Sequence, residues 1–240
     1  MSLAKIPFLL ANTVSVYATL TPPNPQVPSG QRPKNIAMSE RFFSAAARTA
    51  SPIYKYIMCA GSLIESAVIL ARRWPSHPLS QRILGLFVNG STTLASRITL
   101  SKAFFIGTAL VTANALIRVL CYRALGRLFT YEVAIRDDHK LVTSGPYAYI
   151  RHPSYTTGLM CWVGMGVASI SQGSWLKECG VLATPAGRAG VALYGAFFAY
   201  CTVLFVTRAP REDVLLRDQF ESQWDEWAQR VPYRLIPYIY

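Results

Sequence analysis

The sequence predicts an all-α, polytopic integral membrane bundle of about five transmembrane helices with a cytosolic C-terminal amphipathic helix. Of the 240 residues, 52% are apolar and 15% are charged, whereas about 25% are charged in typical soluble domains. The charged residues cluster between long apolar runs. Runs of roughly 20 apolar residues are long enough to cross a bilayer as helices.

The N-terminal half, residues 1–121, contains three predicted membrane helices and a proline-rich linker. The linker, residues 21–33, contains five prolines, which remove amide hydrogens and disfavour helix. A basic pair, Arg72-Arg73, closes the second span. The spans are residues 3–20, 53–71 and 103–121.

Two features of this half depart from simple membrane helices. Glu65 lies inside the second span, where a carboxylate costs a few kcal/mol unless it faces a partner or a cavity. A polar contact inside the bundle and snorkelling from a tilted helix both remain open. Residues 83–100 are only mildly apolar and predict an interfacial or re-entrant segment.

The C-terminal half, residues 122–240, contains a polar stretch, two further spans and a tail. The polar stretch is 122–155, and the spans are 156–173 and 189–206. In the fourth span, three glycines should let neighbouring helices approach closely; these are Gly158, Gly164 and Gly166.

The tail, residues 207–240, is mixed in charge and predicts an amphipathic helix that Pro232 ends. Its apolar positions recur at helical spacing; they are Val214, Leu215, Phe220, Trp224 and Trp227. If the tail is cytosolic, five spans put the basic stretch 122–155 on the same side, as the positive-inside rule requires.

The net charge of +12 comes mostly from Lys and Arg residues that flank apolar segments. Membrane lipids with anionic headgroups are therefore the expected partner, and nucleic acid is not. The five cysteines form no CxxC pair and no Cys/His cluster with zinc spacing, so neither a disulfide framework nor a metal site is predicted.

Two polar blocks bracket the last helical hairpin, which returns its ends to one membrane face. The first block runs from His139 to Tyr155, and the second begins at Arg208. Arg151 and His152 can bind a carboxylate through charge-assisted hydrogen bonds, and tyrosine faces can attract a cation such as a sulfonium. Each residue alone could also be a satisfied interfacial side chain or a solvated ion pair.

The first block resembles the signature of isoprenylcysteine carboxyl methyltransferases: Leu-Val-Thr-Ser-Gly-x-Tyr, then Arg-His-Pro-Ser-Tyr, then a glycine, here Gly158. The second block resembles that family's Arg-x-x-x-Glu-Glu element, which here ends in Glu212-Asp213. The resemblance covers about residues 114–240. The usual Phe-Gly is Phe220-Glu221 here, and the tyrosines that follow are Trp224 and Trp227.

This resemblance implies that residues 122–240 form the catalytic region of an enzyme that uses S-adenosylmethionine. It implies methylation of the C-terminal carboxylate of farnesylated or geranylgeranylated proteins or peptides at the endoplasmic reticulum membrane. Arg208 would bind the carboxylate, and Glu212 would orient Arg208 or complete the cofactor pocket. The implied cofactor-binding residues are His139, Leu141, Val142, Gly145, Tyr147, Arg151, His152, Tyr155 and Glu212.

Three other interpretations remain. A phospholipid N-methyltransferase has a similar membrane architecture and the same cofactor, but Arg208 would suit an amine substrate poorly. An NADPH-dependent sterol reductase is indicated by the tail Val231-Pro232-Tyr233-Arg234. That class usually has Arg-His-x-Asn-Tyr where this chain has Arg-His-Pro-Ser-Tyr. The third is a membrane scaffold without chemistry, against which the intact Arg151, His152, Arg208 and Glu212 argue.

Overall fold

A computed structural model describes residues 2–25, 38–129 and 140–239, and over these residues the chain forms helices and turns without any strand. This confirms the predicted all-α class. The α-helices are α1 (Ile6–Thr19), α2 (Met38–Arg73), α3 (Pro78–Phe87), α4 (Lys102–Leu125), α5 (Pro153–Ile170), α6 (Trp175–Glu178) and α7 (Pro185–Arg230). Single 3-10 turns cover Ser2–Lys5, Thr92–Arg97, Gly126–Leu128, Gly145–Ala148 and Val181–Ala183.

Three of the described helices are long and apolar enough to cross a membrane. They contain the predicted spans 53–71, 103–121 and 189–206 and cover Ser51–Arg73, Lys102–Leu128 and Pro185–Arg230. The other two predicted spans correspond to α1, with 14 residues, and α5, with 18 residues. The chain is thus a multi-pass helical membrane protein, and the count of five stays a prediction.

Segments predicted to be irregular contain more helix than expected. Residues 83–100 hold the end of α3 and the turn Thr92–Arg97. The third span continues helically to Leu128, into the stretch that was expected to be a loop. Of the proline-rich linker, residues 26–33 lie outside the described part of the chain.

Helix α7 joins the predicted fifth span to the predicted tail helix. It runs for 46 residues and is interrupted only at Glu221, where φ is 43° and ψ is −116°. The helix ends at Arg230, two residues before Pro232. Among the five predicted apolar positions of the tail, Trp227 is buried, whereas Val214 and Leu215 are exposed.

The chain divides into two compact units. Unit 1 comprises Met1–Tyr17, Lys55–Asn114 and Met160–Ala199. Its core includes Leu9, Val68, Ile98 and Phe104. The buried Glu65 forms an ion pair with Lys5 Nζ at 2.6 Å, so the interpretation of Glu65 as a polar contact inside the bundle is confirmed.

Unit 1 also contains a close approach of two helix backbones that glycines allow. A Cβ atom on Gly164 of α5 would lie 2.7 Å from the carbonyl oxygen of Gly107 and 2.9 Å from the amide nitrogen of Val111, both on α4. Only glycine fits at such a distance, which confirms the predicted role of Gly164.

Unit 2 comprises Ala18–Tyr54, Ala115–Leu159 and Tyr200–Tyr240. Its buried cluster brings Cys121 of α4 together with Tyr147, Trp227 and Val231. Every described residue of the predicted site lies in this unit.

Candidate functional site

The first polar block enters the site as a short irregular segment that packs on the buried cluster of unit 2. Leu141 and Val142 contact this cluster. Gly145 has φ of 62° and starts the turn Gly145–Ala148, a conformation that glycine adopts without steric cost. The turn buries Tyr147, whose carbonyl oxygen accepts a hydrogen bond from Trp227 Nε1 at 3.1 Å.

The surroundings of Tyr147 favour the neutral form of its phenol. Burial raises the pKa of its phenol well above 10, and the nearby Cys121 and Glu212 raise it further. The ring therefore contributes a neutral hydroxyl to the site.

Arg151 and His152 immediately precede α5, and both are buried. The proline at position 153 opens the helix, a position where its missing amide hydrogen costs nothing. The two basic side chains are therefore buried at the N-terminus of α5. A buried basic side chain requires an anionic partner.

That partner is Asp213 of α7, on which three cationic or titratable side chains converge. Arg151 Nη1 lies 2.8 Å from Oδ2, and His152 Nε2 lies 2.9 Å from Oδ1. Arg234 Nε donates to Oδ2 at 2.9 Å. Because Asp213 is only 3% exposed, its charge is compensated by these partners rather than by water.

Residues 231–235, which we call the C-terminal strap, follow α7 and contact the start of α5. The backbone amides of Arg151 and His152 donate to the carbonyl oxygens of Tyr233 and Arg234, both at 2.9 Å. Thr156 Oγ1 donates to the carbonyl oxygen of Leu235 at 2.5 Å. The strap therefore satisfies the first amides at the entry of α5, which have no partner within the helix.

Tyr155 links α5 to the other acidic residue of the second block. Its hydroxyl donates to Glu212 Oε2 at 2.5 Å. Its ring stacks on His152 at 5.5 Å on one side and on Phe205 at 4.7 Å. The stacked rings of His152 and Phe205 fix the position of the Tyr155 ring, and the Tyr155 hydroxyl holds the Glu212 carboxylate.

Two arginines of unit 2 are buried close to these residues. Arg208 is 8% exposed, and its guanidinium lies 5.8 Å from the centre of the Tyr155 ring. Arg118 of α4 donates to the carbonyl oxygens of Thr19 and Ser154. In contrast to these two, the Glu212 side chain is 32% exposed, so an anionic group stays accessible at the rim of a basic site.

The structure thus brings together residues from both predicted blocks, which lie some sixty positions apart. His152 and Tyr155 contact Glu212 directly, and Arg151 reaches the same helix through Asp213. Gly145, Tyr147, Leu141 and Val142 lie in the adjoining segment, and His139 lies outside the described residues.

Sequence reasoning assigned no role to Asp213, Arg234 or the C-terminal strap. A signal for Asp213 was present: a buried Arg-His pair requires a carboxylate, and Glu212 has a second acidic residue directly after it. The strap contributes mainly backbone carbonyl oxygens, which carry no residue-type signal, and Arg234 adds a guanidinium contact with Asp213.

Part of the chain matches the model of a known protein family. Residues 105–177 match the model of the isoprenylcysteine carboxyl methyltransferase family. This match confirms the predicted resemblance to that family. The matched segment contains α4, the first polar block and α5, but not Arg208 or Asp213 on α7.

Individual proteins are similar to a longer part of the chain than the family model matches. A probable protein-S-isoprenylcysteine O-methyltransferase from Oryza sativa subsp. indica is 31% identical over 137 residues, which is 56% of this chain and 61% of the rice protein. Protein-S-isoprenylcysteine O-methyltransferase B from Arabidopsis thaliana is 31% identical over 128 residues, or 52% of this chain and 55% of that protein. The similarity spans little more than half the length of these relatives.

A reductase also shows similarity to part of the chain. Delta(14)-sterol reductase from Mus musculus is 31% identical over 101 residues, which is 42% of this chain and 20% of the reductase. The resemblance to the sterol reductase class therefore has support beyond the tail motif.

The site chemistry suits the methyl donor that the methyltransferase resemblance implies. S-adenosylmethionine carries cationic groups, which match the accessible carboxylate of Glu212, and a carboxylate, which matches the arginines. Trp224 Nε1 is buried and has no hydrogen-bond partner within the described residues, so a donor is available for a ligand atom. Within the same residues, no group of three His, Cys, Asp or Glu side chains could hold a metal ion.

Proposed function

We propose that the protein is a methyltransferase that uses S-adenosylmethionine to esterify the C-terminal carboxylate of prenylated cysteine in proteins or peptides. The single observation that carries this proposal is the junction of the two polar blocks at Asp213. It holds Arg151 and His152 against α7, on the same helix that presents Arg208 and Glu212.

For this reaction, the protein mainly has to orient the substrate carboxylate and the methyl donor. A C-terminal carboxyl group has a pKa of about 3.3 to 3.7, so the substrate is already ionised and needs no general base. When bound, S-adenosylmethionine supplies an electrophilic methyl group. Arg208 holds the carboxylate in position, and its burial excludes water from that ion pair. Correct orientation alone can contribute several kcal/mol.

The remaining residues position the cofactor. In this proposal, Leu141, Val142, Gly145 and Tyr147 form one wall. Arg151, His152 and Tyr155 form another and hold Glu212 toward the cationic part of the ligand. His139, which precedes the described segment, is assigned to the same pocket because it matches the family motif.

The membrane setting suits the substrate class. A prenyl chain gains about 0.8 kcal/mol per methylene buried in the bilayer, so a farnesylated or geranylgeranylated cysteine reaches the protein through the membrane. We assign the protein to the endoplasmic reticulum membrane, in keeping with the processing of prenylated proteins.

The central test is transfer of labelled methyl from S-adenosylmethionine to a farnesylcysteine analogue in membranes that contain the protein. The analogue should become methylated, whereas phosphatidylethanolamine should not. Methylated lipid as the sole product would instead identify a phospholipid N-methyltransferase.

Arg208→Lys tests the assigned carboxylate clamp, since lysine keeps the charge but loses the planar fork that holds a carboxylate at two points. Turnover should fall on the order of a hundredfold, as expected for a misplacement of about 1 Å, and cofactor affinity should change little. The exposed Arg217→Lys is the matched control, and its initial rate should equal wild type. Near-normal turnover of Arg208→Lys would remove this arginine from the mechanism.

A sterol reductase is the second candidate, because the mouse Delta(14)-sterol reductase matches 42% of the chain. This function requires NADPH rather than S-adenosylmethionine. Titration of NADPH and of S-adenosylmethionine against the same purified protein distinguishes the two: binding of NADPH without S-adenosylmethionine would replace our proposal.

A further inference from the structure

Unit 1 contains a cavity that the proposed reaction does not use. Its volume is about 230 Å³, and its walls come from α1, α2, the start of α4, the end of α5, α6 and the start of α7. An engineered cavity of about 150 Å³ holds benzene, so this one has room for an apolar chain on the order of ten carbon atoms by proportion.

Two residues that line the cavity, Asn12 and Ser62, each have a buried polar atom that lacks a partner. Asn12 is 1% exposed and Ser62 is 3% exposed. Within the part of the chain that the structure describes, Asn12 Oδ1 and Ser62 Oγ have no hydrogen bond. The amide nitrogen of Asn12 is already engaged, as Nδ2 donates to Thr108 Oγ1 at 3.2 Å. The two free atoms therefore call for a ligand with a hydroxyl group, which can donate to Asn12 and pair with Ser62.

The charged side chains at the cavity, Glu65 and Lys5, neutralise each other. Glu65 lines the cavity, and its carboxylate lies 2.6 Å from Lys5 Nζ. Lys5 also donates to the carbonyl oxygen of Gly173 at 2.8 Å and lies 4.3 Å from the centre of the Phe104 ring. A cationic head would compete with Lys5, and an anionic head would be repelled by Glu65, so a neutral head fits best.

Water alone does not suit this space. One molecule could satisfy Asn12 and Ser62, but most of the wall is made of groups such as Leu9, Phe104 and Val191. Wholly apolar cavities stay dry and bind apolar molecules, so the apolar part of this wall favours an apolar chain. An occupant must therefore combine one hydroxyl with an apolar chain.

We propose that this cavity is a binding site for a neutral lipid alcohol, with its hydroxyl on Asn12 and Ser62 and its chain against α2 and α7. The site lies wholly within unit 1 and is independent of the proposed methyl transfer. A bound alcohol would connect α1, α2 and α7 and stabilise the folded state by mass action.

Two glycines of the wall allow the cavity to be blocked. A Cβ atom on Gly61 or Gly190 meets nothing within 4 Å, and both residues line the cavity. Gly195 on the same helix as Gly190 is equally unobstructed but does not belong to the wall. Gly190→Leu and Gly195→Leu are therefore a matched pair that differs in cavity volume.

The experiment uses the full chain in phosphatidylcholine nanodiscs and a photoreactive 1-decanol with a diazirine in mid-chain. Peptides that contain residues 57–65 and 187–194 should be labelled, and unlabelled 1-decanol should compete at least tenfold better than decane. Labelling should fall at least fivefold in Gly190→Leu and stay unchanged in Gly195→Leu. Ser62→Ala should reduce the advantage of decanol over decane.

The competition between decanol and decane is measured on the wild type, so it does not depend on the folding of any variant. Equal competition by decane would overturn the proposal, as would equal labelling of the two leucine variants. If Gly190→Leu has a lowered melting temperature, Gly61→Leu takes its place.

Discussion

Asp213 is a buried carboxylate that connects several parts of the site. A carboxylate that is 3% exposed loses its hydration, and the contacts with Arg151, His152 and Arg234 offset that loss. The same contacts join α5, α7 and the C-terminal strap, so one side chain sets the relative position of the two polar blocks.

Asp213→Asn keeps the shape of this side chain and removes its charge. Because a buried cation then lacks its counter-charge, we expect a loss of about 3–5 kcal/mol of unfolding free energy. Under the proposed function, affinity for S-adenosylmethionine should fall as well. Thermal unfolding and cofactor titration of the purified variant measure both effects.

Asp225→Asn is the control, since Asp225 pairs with Arg217 at an exposed position where an ion pair contributes at most about 1 kcal/mol. Equal stability of the two asparagine variants would show that Asp213 does not hold the site together.

At the scale of elements, the C-terminal strap caps the start of α5 with backbone hydrogen-bond acceptors. Residues 231–235 accept hydrogen bonds from the backbone of Arg151 and His152 and from Thr156. Beyond them, Ile236, Tyr238 and Ile239 are exposed. The function of the tail should therefore end abruptly near residue 236.

Two truncations test this boundary. Removal of residues 231–240 should expose the entry of α5, because the amides of Arg151 and His152 lose their acceptors, and under the proposed function it should abolish methyl transfer. Removal of residues 237–240 keeps those acceptors and should retain at least half of the wild-type rate. Initial rates at matched membrane content are the measurement, and similar losses in both truncations would contradict a role for the strap.

The contact between α4 and α5 is a second element-scale feature, because their backbones meet at Gly107 and Gly164. Gly164→Ala would place a Cβ atom 2.7 Å from a backbone oxygen, so the helices must separate. Overpacking of this kind costs about 1–3 kcal/mol, and the melting temperature should fall accordingly.

Gly195→Ala on α7 is the matched control, because a Cβ atom there meets nothing within 4 Å. Its melting temperature should equal or exceed that of wild type. A Gly164→Ala protein as stable as Gly195→Ala would show that the two backbones are farther apart than the structure has them.

At the scale of the whole molecule, the length of α7 constrains how the chain lies in a bilayer. Its uninterrupted part, residues 185–220 before the break at Glu221, is about 54 Å long at 1.5 Å per residue, well beyond the roughly 30 Å of bilayer hydrocarbon. The apolar stretch 189–206 is the part that fits the hydrocarbon, and the charged part from Arg208 onward should emerge on one side.

Cysteine accessibility tests this placement. Leu193 and Leu215 are both exposed on the protein surface, but only Leu215 lies beyond the apolar stretch. In intact membranes, Leu215→Cys should react with a hydrophilic maleimide at least tenfold faster than Leu193→Cys. Four of the five native cysteines are buried, so the unmodified chain supplies the background rate. Equal reactivity would mean that the membrane boundary lies elsewhere on α7.

Much of this architecture follows from local properties of the chain. An apolar run must form helix in a bilayer to satisfy its own backbone, so residues 53–71, 103–121 and 189–206 were predictable as helices. The helix end near Pro232 follows from the chemistry of proline alone. The resemblance in the first polar block was equally visible, because it depends on residue order.

What the sequence by itself determined is therefore the helical membrane class, the main spans and the identity of the polar blocks. The tertiary structure decided which partner each buried charge takes: Asp213 for Arg151 and His152, and Lys5 for Glu65. The physical reason is that hydrogen bonds and ion pairs require contact within about 3 Å. Residues sixty positions apart in sequence reach that distance only when the helices pack.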